Sequence, residues 1–206
     1  MSDPHIITSL EQLQDIYGEA NPWSLRKESQ KLTTAYREWL DKSPFFALAT
    51  QGEGGLDCSP RGDAVGSLFE VQDDQTLLIP DRRGNNRLDS LRNIIENPNV
   101  ATMFIIPGIN ECLRINGKAH LTKDPDICVR FDMKGKLPKV VVVLKIETVY
   151  FQCARAIIRS GIWLEANKLA SGDVPTAGQM VKSAAAEFDA ESYDAELPQR
   201  QSETLY

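Results

Sequence analysis

Histidine is nearly missing from this chain: His5 and His120 are the two in 206 residues. A serine–histidine–acid triad or a multi-histidine metal centre would rest on His120 alone, since His5 sits in an N-terminus expected to be mobile. The four cysteines stand at 58, 112, 128 and 153, and no two have the spacing of a Cys-x-x-Cys redox or zinc pair. Long apolar runs are missing too. The longest, Val140 to Leu144, is far short of the roughly 20 residues a membrane helix needs. The first ten residues carry no apolar export segment. These absences predict a cytoplasmic protein with reduced thiols and no membrane partner.

A basic excess is lacking as well. Lysine and arginine number 23 against 29 acids, a net charge of −6. Residues 187–206 hold six acids and one base, so the tail contributes 1 − 6 = −5 and the rest is near −1. No global basic face points to nucleic acid. Apolar residues at 42% and charged residues at 25% describe a globular chain that needs no staple to fold.

Ser9 and Gln12 form a capping-box pair before a short helix ending near Gly18. The spacing of Leu25, Leu32, Tyr36, Trp39 and Leu40 predicts a second helix over 23–41. The pattern then becomes strand-like. Segments 45–50 and 56–59 flank a Gly-rich turn, and 67–71 and 76–80 form another pair. A helix is expected over 86–96, with Leu88, Leu91, Ile94 and Ile95 as its stripe. Strands are expected at 100–106, at 112–122 with a bulge at Gly117, and at 139–152. Short helices follow at 124–132, 154–160 and 177–188, and the acidic remainder reads as loose. Six or seven strands joined mainly by turns predict a mainly β fold, an antiparallel barrel with appended helices. The parts are an N-terminal helical extension (1–43), the barrel (44–152) and a C-terminal helical segment with an acidic tail (153–206), all one folded domain.

The chemistry concentrates where a strand end meets a helix start. Ile79-Pro80-Asp81 leads into Arg82-Arg83-Gly84-Asn85-Asn86-Arg87. Unpaired N–H groups and partial positive charge at a helix start favour an anion, and guanidinium forks suit phosphate oxygens. Asn85 or Asn86 could cap the helix. The bland alternative is an ordinary turn with arginines paired to Asp81 and Asp89. Ser59-Pro60-Arg61 ends a strand expected to lie beside the one ending at Pro80, so Arg61 could approach the same anion. On strand 111–117, alternation puts Cys112, Arg114 and Asn116 on one face. Trp163 could stack on a flat ring or simply pack.

Taken in order, the strand with Arg61, the Pro-Asp-Arg-Arg-Gly-Asn-Asn-Arg loop, the helix ending Glu-Asn-Pro and the Leu-Arg-Ile-Asn-Gly strand resemble the pyridoxamine 5′-phosphate oxidase-like family of FMN-binding split barrels. The resemblance spans roughly 45–151. It implies FMN as cofactor, its phosphate held by Arg61 and the 82–87 loop beside Ser59, with the backbone of Ile79, Pro80 and Asp81 flanking the flavin. It implies a homodimer whose flavin sites lie at the interface, with Glu111, Cys112 and Arg114 reaching across from the partner. The family lysine that follows the first arginine is missing here, near Gly66. Cys112 stands at a family glutamine, and the C-terminal Arg-Leu-His signature is absent. The resemblance therefore implies flavin binding rather than pyridoxamine phosphate oxidation itself. The function expected is an FMN-dependent oxidoreductase acting on a small-molecule substrate or electron donor. Two other readings stay open: a non-catalytic flavin or haem protein, and a structural protein whose arginine loop binds an acidic partner.

Overall fold

The computed structural model describes residue 3, residues 5–170 and residues 172–206. Three short helices come first: α1 (Leu10–Tyr17), α2 (Pro22–Arg26) and α3 (Thr34–Leu40). The Ser9–Gln12 capping box of α1 is present. The single helix expected over 23–41 is two. Between them Ser29 exchanges both backbone hydrogen bonds with Val149, and Leu32 N–H donates to Asp74. Those contacts pull the chain out of helical geometry, and Thr33 caps α3 afresh by accepting from Tyr36 N–H.

The strands are β1 (Phe45–Gly52), β2 (Gly55–Gly62), β3 (Glu70–Asp73), β4 (Thr76–Pro80), β5 (Asn99–Ile105), β6 (Cys112–Thr122) and β7 (Val141–Gln152). Five further α-helices follow among the described residues: α4 (Asp89–Glu96) between β4 and β5, α5 (Pro125–Cys128), α6 (Arg155–Ser160), α7 (Ala177–Ala184) and α8 (Ala190–Thr204). β3 starts later than expected because residues 64–67 close a turn, with Ser67 N–H donating to the Ala64 carbonyl. All strands join one antiparallel sheet in the order β2-β1-β5-β6-β7-β4-β3. This is the antiparallel barrel with appended helices that the pattern predicted, in the split form that the resemblance implied.

Alternation sorts the side chains. β1 buries Phe46, Leu48 and Thr50; β5 buries Val100, Thr102 and Phe104; β6 adds Leu113 and Ile115. Leu91 and Ile94 of α4 and Leu32 and Leu40 around α3 complete the same core. Gly117 marks the expected bulge, where the β6–β7 register shifts. A Cβ there would come within 2.0 Å of the Lys145 carbonyl oxygen, so a side chain is excluded by backbone.

β2 and β4 are not neighbours, contrary to expectation. β2 pairs with β1 at one edge of the sheet, while β4 pairs with β3 and β7 towards the other. The sheet rolls until the loops beyond β2 and β4 meet, and ion pairs rather than ladder bonds close the seam. The acidic tail is not loose. Asp189 caps α8 by accepting from Ser192 N–H, and Asp194 accepts from Gly178 N–H at 2.8 Å, fixing α8 on α7. Among the described residues no helix is long and apolar enough to cross a membrane.

Candidate functional site: an arginine-lined cleft at the barrel seam

Where the two edges approach, a cleft of about 910 Å³ opens. One wall is β2, whose pleat turns Asp57, Ser59 and Arg61 inward. A second is the loop from Asp81 to Leu88 with the start of α4. The third is the 133–139 hairpin, which brings Lys136 and Lys139. Six bases and three acids line the cleft, so its field favours an anion.

Adjacent arginines of the loop have different roles. Arg82 is spent on the protein: Nε donates to Asp63 (3.0 Å), Nη1 to the Phe131 carbonyl (2.9 Å) and Nη2 to the Ser67 carbonyl (3.1 Å). The side chain of its partner Asp63 is 2% exposed. Arg83 points into solvent at the cleft rim and, among the described residues, has no ion-pair partner. Arg87 pairs with Asp89 in the first turn of α4, a site that stays largely exposed. Arg61 lies deeper. Its Nη1 donates to Asp81 at 2.9 Å, both side chains about one-fifth exposed, while its Nε is buried without a partner. A buried donor left unmade costs about 1–3 kcal/mol, so a ligand acceptor at this point would be favoured.

The helix start is shifted from expectation. α4 begins at Asp89, not near residue 86, because Asn86 and Leu88 adopt left-handed backbone (φ 58° and 63°). Neither Asn85 nor Asn86 caps it. The Asn85 side chain accepts from Arg87 N–H instead, and no side chain caps α4. The first turn of α4 therefore has no side-chain cap, and its residues Asp89, Ser90 and Leu91 line the cleft.

The structure thus gathers Ser59, Arg61, Asp81, Arg82, Arg83, Asn85, Asn86 and Arg87 around one cavity. Ile79 and Pro80 lie behind it, buried in the sheet. The Asp81 N–H is taken by the Val140 carbonyl (3.0 Å) and Pro80 has none, so this stretch offers a flanking ligand carbonyls but no free N–H from those two residues. Glu111, Cys112 and Arg114 line no part of the cleft within one chain. Arg114 stacks on Tyr150 at 5.2 Å. Burial pushes the Cys112 thiol up, and the Glu111 charge adds to this, so it is no ready nucleophile. Trp163 donates from Nε1 to the Ile109 carbonyl and stays outside the cleft.

Sequence reasoning missed five lining groups. Lys136 and Lys139 were signalled by three lysines within residues 134–139. Asp57 and Ser90 gave no signal on their own. Tyr206, also unsignalled, returns on the end of α8 to donate its hydroxyl to Asp63 Oδ1 at 2.8 Å.

The fold and its cleft define a split-barrel protein with an arginine-lined seam. The sequence profile of pyridoxamine 5′-phosphate oxidase matches residues 32–153, more than half of the chain, and the chain belongs to this family. Among solved structures it is similar to HupZ of Group A Streptococcus (15% identity, 58% of this chain and 93% of that one, TM-score 0.48). Similar too are General Stress Protein 26 of Bacillus anthracis (16%, 56% and 88%, TM-score 0.42) and an FAD binding protein of Mycobacterium smegmatis (15%, 60% and 97%, TM-score 0.40). No curated protein matches the chain.

Proposed function

We propose that the chain is an FMN-dependent oxidoreductase, working as a cytoplasmic homodimer on a small-molecule substrate or electron donor. The buried, unpartnered Arg61 Nε inside an arginine-lined cleft carries this reading. Bound flavin would supply hydride or electron transfer. The chain's own residues do the holding. Arg83 and Arg87 offer planar forks to a phosphate at the rim, and Arg61, aimed by Asp81, completes the cradle from below. Arg82 braces the loop rather than touching the ligand.

The outer face of the sheet supports the dimer. Opposite the core, Ala47, Ala49, Ala101, Asn116 and Thr148 form a half-buried, small-residue surface. Asn116 Oδ1 is buried there without a donor. A second copy seated on this face would bring Cys112, Arg114 and the neighbouring Glu111 towards the partner's flavin. The four thiols are all unpaired, which suits a reducing compartment. Haem fits poorly, since His120 is exposed on β6 and lines no part of the cleft.

The test is to denature purified protein, identify any released flavin, and titrate flavin-free protein with FMN, FAD and riboflavin. FMN release, with FMN preferred over riboflavin, is the expected result. A colourless protein that refuses FMN overturns the proposal. Bound FMN that neither NADH, NADPH nor small-molecule donors reduce would leave a flavin-binding or sensing protein instead of an enzyme.

A further inference from the structure

Ser90, the second residue of α4, is 3% exposed and sits between two residues of β2. Its hydroxyl donates to Asp57 Oδ2 at 2.6 Å, and its oxygen lies 2.8 Å from Ser59 Oγ. A serine hydroxyl has one proton, and an ionised carboxylate can only accept. The charge-assisted contact takes that proton, so Ser90 gives it to Asp57. The Ser59–Ser90 contact then requires the Ser59 proton, because lone pair facing lone pair at 2.8 Å would repel. Ser59 is left with its proton turned into the wall and lone pairs turned to the cleft.

We propose that Asp57, acting through Ser90, fixes Ser59 as an acceptor-only group, so that this corner receives a hydroxyl or N–H of the ligand and never its phosphate. Arg61 stands two residues further along the same face of β2, roughly 7 Å away. Donors lie at the Arg61 end and an acceptor at the Ser59 end. The pair reads a phosphate monoester whose hydroxyl-bearing chain begins a few atoms from phosphorus, a polyol phosphate. This rests on the flavin reading only for the identity of that ligand; the ribityl phosphate of FMN has the required form. Asp57 and Ser90 are positioning residues.

Two measurements decide it. Neutron diffraction on deuterated, ligand-free protein should show the Ser59 deuteron directed at Ser90 Oγ and the Ser90 deuteron at Asp57. A Ser59 deuteron directed into the cleft overturns the proposal, whether or not the protein binds flavin. In titrations, Ser59→Ala should weaken FMN and riboflavin by the same factor, roughly three- to tenfold, the value of one net hydrogen bond. A loss confined to FMN would put Ser59 on the phosphate and overturn the proposal, as would no loss for either. Ser90→Ala removes the acceptor that holds the Ser59 proton, so in the neutron map of that variant the Ser59 deuteron should leave the direction of residue 90. A Ser59 deuteron still held in the wild-type direction in Ser90→Ala would overturn the relay. If wild-type protein binds no flavin, the functional reading falls alone, while the neutron map still decides the polarity of Ser59.

Discussion

The seam that closes the barrel and the loop that rims the cleft are both built from arginine, yet the charges are used in opposite ways. At the seam, Arg82 has an acceptor for each of its three nitrogens, and Asp63 is almost fully buried beneath it. One residue later, Arg83 is exposed with no counter-charge among the described residues. The first arrangement substitutes for the ladder bonds that β2 and β4 cannot make. The second leaves a fork for an incoming anion. Arg61 belongs to both: one nitrogen bridges to Asp81, another is buried and unpaired. Charge therefore closes the fold and marks the site within a few residues of chain.

The largest effect that could break this contrast is Arg82→Ala. It leaves the Asp63 carboxylate buried without its cation, which costs about 3 kcal/mol for pairs of this kind. Chemical denaturation should show that loss, with the seam opening and ligand binding collapsing as a consequence. A variant as stable as the wild type would show that the seam pair is dispensable. Arg83→Ala should behave in the opposite sense. Stability should stay within about 0.5 kcal/mol of wild type, as for exposed substitutions. FMN affinity should fall roughly tenfold or more, the value of a hydrogen bond to a charged group, while riboflavin affinity stays put. Equal losses for both flavins would move the phosphate away from Arg83.

Sequence alone could not separate these two arginines. The strands were legible because period-two alternation at Phe46, Leu48 and Thr50, and again at Leu113 and Ile115, records which face meets the core. The loop was legible because three arginines beside a glycine and two asparagines are chemically conspicuous. The pairing Arg82–Asp63 joins positions 19 residues apart, one beyond the edge strand β2 and one beyond β4 near the other end of the strand order, and no local pattern encodes it. Asp57 and Ser90 lie 33 residues apart for the same reason. The helix boundaries around residues 27–33 and 86–88 went astray where tertiary contacts or left-handed backbone overrode propensity. α8 was missed because its stripe is weak and Pro198 interrupts it, while its anchor is a contact with α7.

The smallest effect concerns the far end of the seam. Tyr206 donates its hydroxyl to the same Asp63 carboxylate that Arg82 holds, and this hydrogen bond, followed by the Asp63 charge, pushes the phenol above its ordinary value, against a smaller opposing pull from Arg82. A group with a raised folded-state value contributes stability fully below its unfolded value, near 10 for a phenol, and loses it as pH rises through the folded one. Wild type should therefore exceed Tyr206→Phe in stability at neutral pH by a small, constant margin that shrinks in strongly alkaline solution. Urea unfolding of both proteins from pH 7 to beyond the phenol range checks this. The margin must be small because the hydroxyl competes with water, and Arg82 already satisfies the other Asp63 oxygen. No margin at any pH would mean that the ring contributes contact alone and that the seam ends at Arg82.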